Sequence, residues 1–334
     1  MIKKTLFIVF FLFFINFSLL FSREHIKKIA TLKMEIPVYP ANIKVLKKII
    51  IVTSKHNIYK FSLPGKLIKK MGNKGQGPGD YLYIFSWDYY EDRIYINDIK
   101  MFRISILDIK NLNIINSFIW NYGSPIPGRI AVCKDYILKS QINYNQKDLS
   151  YSTVLFLFNK EGKLLKMFHN IGKQISSYFR MELWPPLVSS DKEKFFYVVM
   201  QPVYKIYKYN IYGDLIKAKE IKREWFIKLK KWDKKKFDSL NSRRKRVKYY
   251  VNYINSGSRI TNLVNIGKEK IAIQITNSNG INTIEFFDSN LNYINSIRTK
   301  FFVSNGEGKS IYLIESLDSN YIKYNIWRYE IDGK

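Results

Sequence analysis

The side chains that could do covalent or metal chemistry are few in this chain of 334 residues and badly spaced for it. His25, His56 and His169 are scattered, with no His-x-x-x-His pair and no cysteine spacing beside them, so a zinc site has no support. No Gly-x-Ser-x-Gly elbow occurs, and a nucleophilic triad would have to recruit one of those histidines. The only cysteine, Cys133, cannot form an intramolecular disulfide, which leaves stability to a packed core. Two stretches remain. Gly75, Gly77 and Gly79 with Pro78 form a shaped loop of the kind that cradles phosphate or turns a chain. No Lys-Ser or Lys-Thr pair follows and the next element reads as a strand, which favours the turn. Arg243, Arg244, Lys245, Arg246 and Lys248 make a dense basic run that suits either an anionic partner or a plain solvated face.

The elements that must position these groups begin at the glycine loop. Tyr81 to Trp87, Arg93 to Asn97 and Phe102 to Leu107 are short runs rich in Ile, Tyr and Phe, separated by turn-forming residues. They predict three consecutive antiparallel strands. The run Gly75-Gln76-Gly77-Pro78-Gly79-Asp80-Tyr81, with Arg93-Ile94-Tyr95-Ile96-Asn97-Asp98 and Arg103-Ile104-Ser105-Ile106-Leu107-Asp108, resembles an NHL-type repeat and looks like a blade of the six-bladed β-propeller proteins that many bacteria export. The resemblance covers this one unit, and elsewhere only the hairpin pattern is shared.

Repetition carries the architecture further. Strands starting at Ile58, Ile104, Val154, Ile206, Ile284 and Ile326 each lead into a short Gly, Asn or Asp turn, and successive starts lie 46, 50, 52, 78 and 42 residues apart. Periods of 40 to 50 residues with about four strands each indicate propeller blades, so the expected fold is an all-β, six-bladed β-propeller of four-stranded antiparallel blades. The last hairpin lacks an outer strand, whereas His25 to Met34 is a strand-like run without a partner. Pairing the two would close the ring and cover a long edge. The expected blades are 36 to 71, 81 to 119, 128 to 169, 184 to 220, 258 to 298, and 299 to 331 completed by 24 to 34.

The 78-residue interval contains an insertion between blades 4 and 5, at 221 to 257. There the apolar spacing changes to 3 and 4: Trp225, Leu229, Trp232, Phe237, Leu240, Val247, Val251 and Ile254 form a helical stripe, with the basic run on the other positions.

Residues 1 to 22 combine Lys3 and Lys4, an apolar run from Leu6 to Phe21, and Ser22, as a secretory signal peptide does, and leave 23 to 334 as a single domain. The rival is an uncleaved anchor in the inner membrane, since the run falls just short of the ~20 residues a spanning helix needs. The expected location is therefore extracytoplasmic, periplasmic or secreted. The formal net charge of +29 suits an acidic partner, but the abundance of Lys, Ile, Asn, Tyr and Phe equally fits adenine- and thymine-rich coding.

In a four-stranded blade, numbered A (innermost) to D (outermost), the A–B and C–D turns share one face and the B–C and D–A connections the other. The long segments, Gly72 to Asp80, Trp120 to Gly128, Gln141 to Ser150, Asn170 to Leu183 and Ile221 to Gly257, all fall on the second face, which is therefore expected to carry function. The expected activity is non-catalytic binding of a protein, peptide or glycan there, through Tyr122, Arg180, Glu182, Trp184 and the basic residues 243 to 246 and 248. An anionic partner or peripheral membrane contact suits the basic run; nucleic acid is not expected, and oligomeric state is left open. No cofactor is expected. The alternative is a propeller lyase or lactonase with a metal in the central channel, for which Asn97, Asp98, Glu182 and Asp191 are the candidate ligands, although Asp98 and Asp191 also suit strand-end turns.

Overall fold

The computed structural model describes residues 26–120, 122, 128–145, 150–175, 186–200, 204–227, 233–268, 270–277 and 280–331. Six four-stranded antiparallel sheets stand around a central axis. Blade 1 is β2–β5 (Ile43–Leu46, Ile49–Thr53, Ile58–Ser62, Leu67–Met71) and blade 2 is β6–β9 (Ile84–Tyr90, Arg93–Asp98, Arg103–Asp108, Ile114–Ile119). Blade 3 is β10–β13 (Ile130–Cys133, Tyr136–Asn145, Ser150–Asn159, Leu164–Ile175) and blade 4 is β14–β17 (Leu187–Ser190, Phe195–Met200, Lys205–Asn210, Leu215–Glu220). Blade 5 is β18–β21 (Arg259–Ile266, Lys270–Thr276, Asn282–Asp288, Tyr293–Thr299). Blade 6 joins β22–β24 (Phe302–Glu307, Ser310–Ser316, Lys323–Glu330) to β1 (Ile26–Lys33). β1 pairs antiparallel with β24 from Ile26↔Tyr329 to Lys33↔Lys323, so the N-terminal strand closes the ring as the sequence predicts.

The middle strands lack the alternation of a half-exposed sheet. Ile50, Ile51 and Val52 are buried in succession, as are Ile94, Tyr95 and Ile96, because each blade is covered on both faces by its neighbours. The apolar side chains form six clusters among the described residues, one at every blade boundary, the closing one between blades 6 and 1. Outer strands turn their side chains to solvent: β5 and β17 are exposed along most of their length. The centre of the ring is left to a channel.

The connections divide as expected. A–B and C–D turns span two to five residues and B–C connections four to six, whereas four of the six D–A connections span nine to twelve, a fifth spans 38 and the sixth, between blades 5 and 6, spans two. Three expectations are corrected. Tyr81 to Leu82 is not strand: Asp98 accepts hydrogen bonds from the Leu82 and Tyr83 amides (2.7 and 3.1 Å), which holds this stretch as loop and starts β6 at Ile84. Tyr81 instead bridges to Lys74 and is buried against blade 1, closing the glycine loop on itself. Gln141 to Ser150 is mostly strand: β11 and β12, ten residues each, outrun the four-residue β10 and project as a ribbon. The apolar stripe of the insertion is not one helix. Trp225 lies at its root, and the helical structure among the described residues is α1 (Lys234–Asp238) and α2 (Arg243–Asn255), each started by a side-chain cap, Asp233 and Ser242.

Candidate functional site

The six inner strands enclose a cavity of about 650 Å³ along the axis. Its wall is knitted by side chains that reach from one blade to the backbone of the next. Asn305 on β22 accepts from the Val45 amide (2.9 Å) and donates to the Val45 carbonyl (2.8 Å), replacing the ladder that two splayed strands cannot form. Asn262 on β18 donates to the Val303 carbonyl (2.7 Å), and Ser190 on β14 to that of Val132. These side chains tie neighbouring blades together along the channel wall.

Asp88 on β6 is the deepest carboxylate of the wall. Oδ1 accepts from Lys44 Nζ (3.1 Å), and Oδ2 from Lys192 Nζ (2.7 Å) and the Val132 amide (2.8 Å), so one side chain joins blades 1, 2, 3 and 4. Burial alone would raise the Asp88 carboxyl, but Lys192 and Lys44 outweigh it and hold it down at about 2. Burial lowers the Lys44 ammonium despite Asp88, and its Nζ also sits 4.7 Å from the Trp87 ring centroid.

Arg129 is placed by its neighbours. A Cβ on Gly128 would lie 1.3 Å from the Ser140 carbonyl oxygen, so only glycine brings the chain this close to β11. The Gly128 carbonyl accepts from Asn97 Nδ2 (2.9 Å), and the Arg129 amide donates to Ser140 Oγ (3.1 Å). The guanidinium lines the channel and donates from Nη1 to Asn262 Oδ1 (3.3 Å), its one side-chain hydrogen bond among the described residues. Burial lowers its basicity to about 10. At the A–B end the carboxylates are occupied: Asp191 caps its own turn through three amides, Glu193 pairs with Lys268 (2.8 Å) and Glu307 accepts from Tyr312 (3.0 Å).

The expected site residues fall only partly among the described ones. Tyr122 is exposed between blades 2 and 3, beside Phe156 and Phe158, and its carbonyl accepts from Gln141 (2.9 Å). Arg180, Glu182 and Trp184 lie outside the described residues, as does the side chain of Arg243. Arg244, Lys245 and Lys248 are exposed on α2; Arg246 donates to the Leu240 carbonyl (3.0 Å) and stands over Phe237, joining the two helices. The insertion is pinched at its neck by Ser258 and Ile227, whose backbones and the Ser258 hydroxyl bond at 2.8 and 3.0 Å. Its root is fixed by Arg223 to Glu285 (2.6 Å) and by Phe226 stacked on Tyr204. Of the candidate metal ligands, Asp98 and Asp191 serve turns, and Asn97 donates to Ser86 and Gly128. No group of three or more His, Cys, Asp or Glu side chains suited to a metal occurs among the described residues.

The sheet topology and the channel define a six-bladed β-propeller. A family model described as a 6-bladed beta-propeller, DUF5128, matches residues 17–119. No curated protein matches the chain. Among solved structures it is similar to a Bacteroides fragilis protein called a "Putative exported protein", with TM-score 0.61 and 13% identity over 93% of this chain and 96% of that one. It is also similar to a member of the DUF4221 family from Bacteroides vulgatus, with TM-score 0.59 and 10% identity over 92% and 99%. The WD40 domain of Neurospora crassa Pan2 matches with TM-score 0.54 and 8% identity over 92% and 97%. At such identities the likeness establishes the fold.

Proposed function

We propose that the protein is an exported, non-catalytic binding propeller that engages a protein, peptide or glycan on the face bearing its D–A and B–C connections. The observation that carries this reading is the asymmetry of the two faces: turns of two to five residues on one, and on the other the long D–A segments, the 38-residue insertion and the ribbon of β11 and β12. Long connections cost little stability and place variable side chains on a rigid frame. The apolar run Leu6 to Phe21 and the NHL-like pattern of blade 2 support export, with cleavage near Ser22. The test is capture from the envelope of the host by the mature chain and by a variant in which Asn143 to Ser152 is replaced by Asn-Gly. A component held by the first and lost by the second, with equal melting temperatures, supports the face. Identical capture by both refutes the ribbon's part in it, and a chain that retains Met1 in the membrane fraction refutes cleavage.

A further inference from the structure

The channel carries a charge that its wall does not answer. Lys44 and Lys192 share Asp88, Lys268 has Glu193, and the remaining carboxylates are held by their own turns or by Tyr312. Arg129 has only the side-chain oxygen of Asn262, an acceptor without charge, and the Asn262 oxygen is already shared with the Leu263 amide (3.0 Å). Among the described residues no carboxylate supports the guanidinium, and burial lowers its basicity. A guanidinium is a planar fork of donors whose geometry matches a carboxylate in two parallel bonds. Gly128 and Ser140 fix the backbone from which the side chain leaves, and the bond to Asn262 orients the guanidinium, which lowers the ordering that binding must supply. The cavity of about 650 Å³ lies within the ~300–1,000 Å³ range of small-molecule sites and is bordered by Tyr83 and Phe85 as well as by polar groups.

We propose that the central channel binds a small organic acid, with its carboxylate on Arg129 and its ring or apolar body against the aromatic wall at Tyr83 and Phe85. The site lies at the D–A end of the channel, and its test is kept separate from that of a partner on the long loops. It takes a ligand up to about the size of a disaccharide.

The test uses the mature chain at constant ionic strength, with calorimetric titration and thermal shift against D-galacturonate, benzoate, inorganic phosphate and neutral galactose. Galacturonate and benzoate separate a sugar acid from an aromatic acid; saturable binding of either, without binding of galactose, is the expected result. Arg129→Lys keeps the charge and loses the fork, and is expected to weaken that binding at least tenfold, Arg129→Met more. Arg244→Glu, Lys245→Glu and Lys248→Glu together are expected to leave it unchanged, which separates the channel from the basic helix. Binding of phosphate alone, no binding of either acid, or equal affinity in the parent and Arg129→Lys overturns the proposal. Loss of acid binding in the helix triple variant overturns it as well. If Arg129→Met does not fold, Arg129→Lys decides. Failure here leaves the long-loop reading standing, because the ribbon variant does not touch the channel.

Discussion

Lys139 on β11 offers a quantitative test of how this fold tolerates its own charge. The side chain is fully buried between blades 2 and 3, its Nζ 3.4 Å from the Trp120 ring centroid and 3.1 Å from Gln141 Oε1. Burial lowers the ammonium from 10.5 to about 7, and no carboxylate opposes it. The folded pKa lies below the unfolded one, so between pH 7 and 10.5 the unfolded chain binds more protons and stability rises with pH. Below about pH 7 both states are protonated and the full cost of the buried charge is present. At ~1.4 kcal/mol per pKa unit that cost is on the order of 5 kcal/mol, net of the attraction to the indole face. Lys139→Met keeps the length of the side chain and removes the charge. The diagnostic is a difference of differences: denaturant unfolding at about pH 6 and about pH 10 should show the variant gaining about 4 kcal/mol relative to the parent at the lower pH. Loss of the hydrogen bond to Gln141 adds a constant that cancels between the two. A gap that stays the same at both pH values, or moves in the parent's favour at the lower one, refutes the account of Lys139.

Two further predictions use the same logic at other points of the ring. Asp88→Asn leaves Lys44 and Lys192 uncompensated in the channel wall and is expected to cost about 3–5 kcal/mol at neutral pH. Because the carboxyl is held at about 2, its contribution is present above about pH 4 and lost as pH falls towards 2, so acid unfolding should flatten over that window in the variant; an unaltered acid limb would exclude Asp88 as its source. Removing residues 26–33 bares the edge of β24 and takes Ala30 and Leu32 out of the cluster between blades 6 and 1, and is expected to lower the melting temperature steeply or cause aggregation. A truncated chain that melts with the parent would show that ring closure contributes nothing to stability.

Much of the frame was legible because it is local. Hairpins such as Ile206 to Lys219 turn within four residues, and their recurrence counts the blades. The unpartnered run His25 to Met34 showed closure for a related reason, since a strand without a neighbour must find one. The failures come from contacts distant in sequence. Asp98 reaches back 16 residues to pin Leu82, and no propensity at Leu82 announces that. The β11–β12 ribbon was missed because Asn and Gln outweighed the alternation Gln141-Ile142-Asn143-Tyr144, which is strand periodicity. Arg129 follows directly on the segment Trp120 to Gly128 in the sequence, and nothing there announces that the chain meets β11 at Ser140 and that its side chain lines the channel. Asp88 carried no signal because its lysines lie 44 and 104 residues away.

The basic excess looks different once the bonds are assigned. Lys60 on β4 donates to the Ile109 and Lys110 carbonyls (3.0 and 2.6 Å) in the C–D turn of the next blade, and Lys208 on β16 does the same to Ser289 (2.8 Å). Lys166 reaches Asp214 (2.7 Å) across the boundary of blades 3 and 4, and Lys219 the Leu291 carbonyl (2.9 Å). A lysine lays its apolar stem over the neighbouring blade and caps a turn carbonyl that no strand pairs, which no shorter donor could do. Part of the +29 is therefore structural stitching that a coding bias towards lysine would make easy to supply. Net charge alone then says little about a partner. More is carried by cations that stitch nothing together, among them Arg244, Lys245 and Lys248 in solvent on α2, and by Arg129, which is held in the channel and, among the described residues, bonded only to an uncharged oxygen. Solvent can satisfy the first three at little cost. For Arg129 the described surroundings supply no counter-charge, and a bound carboxylate would.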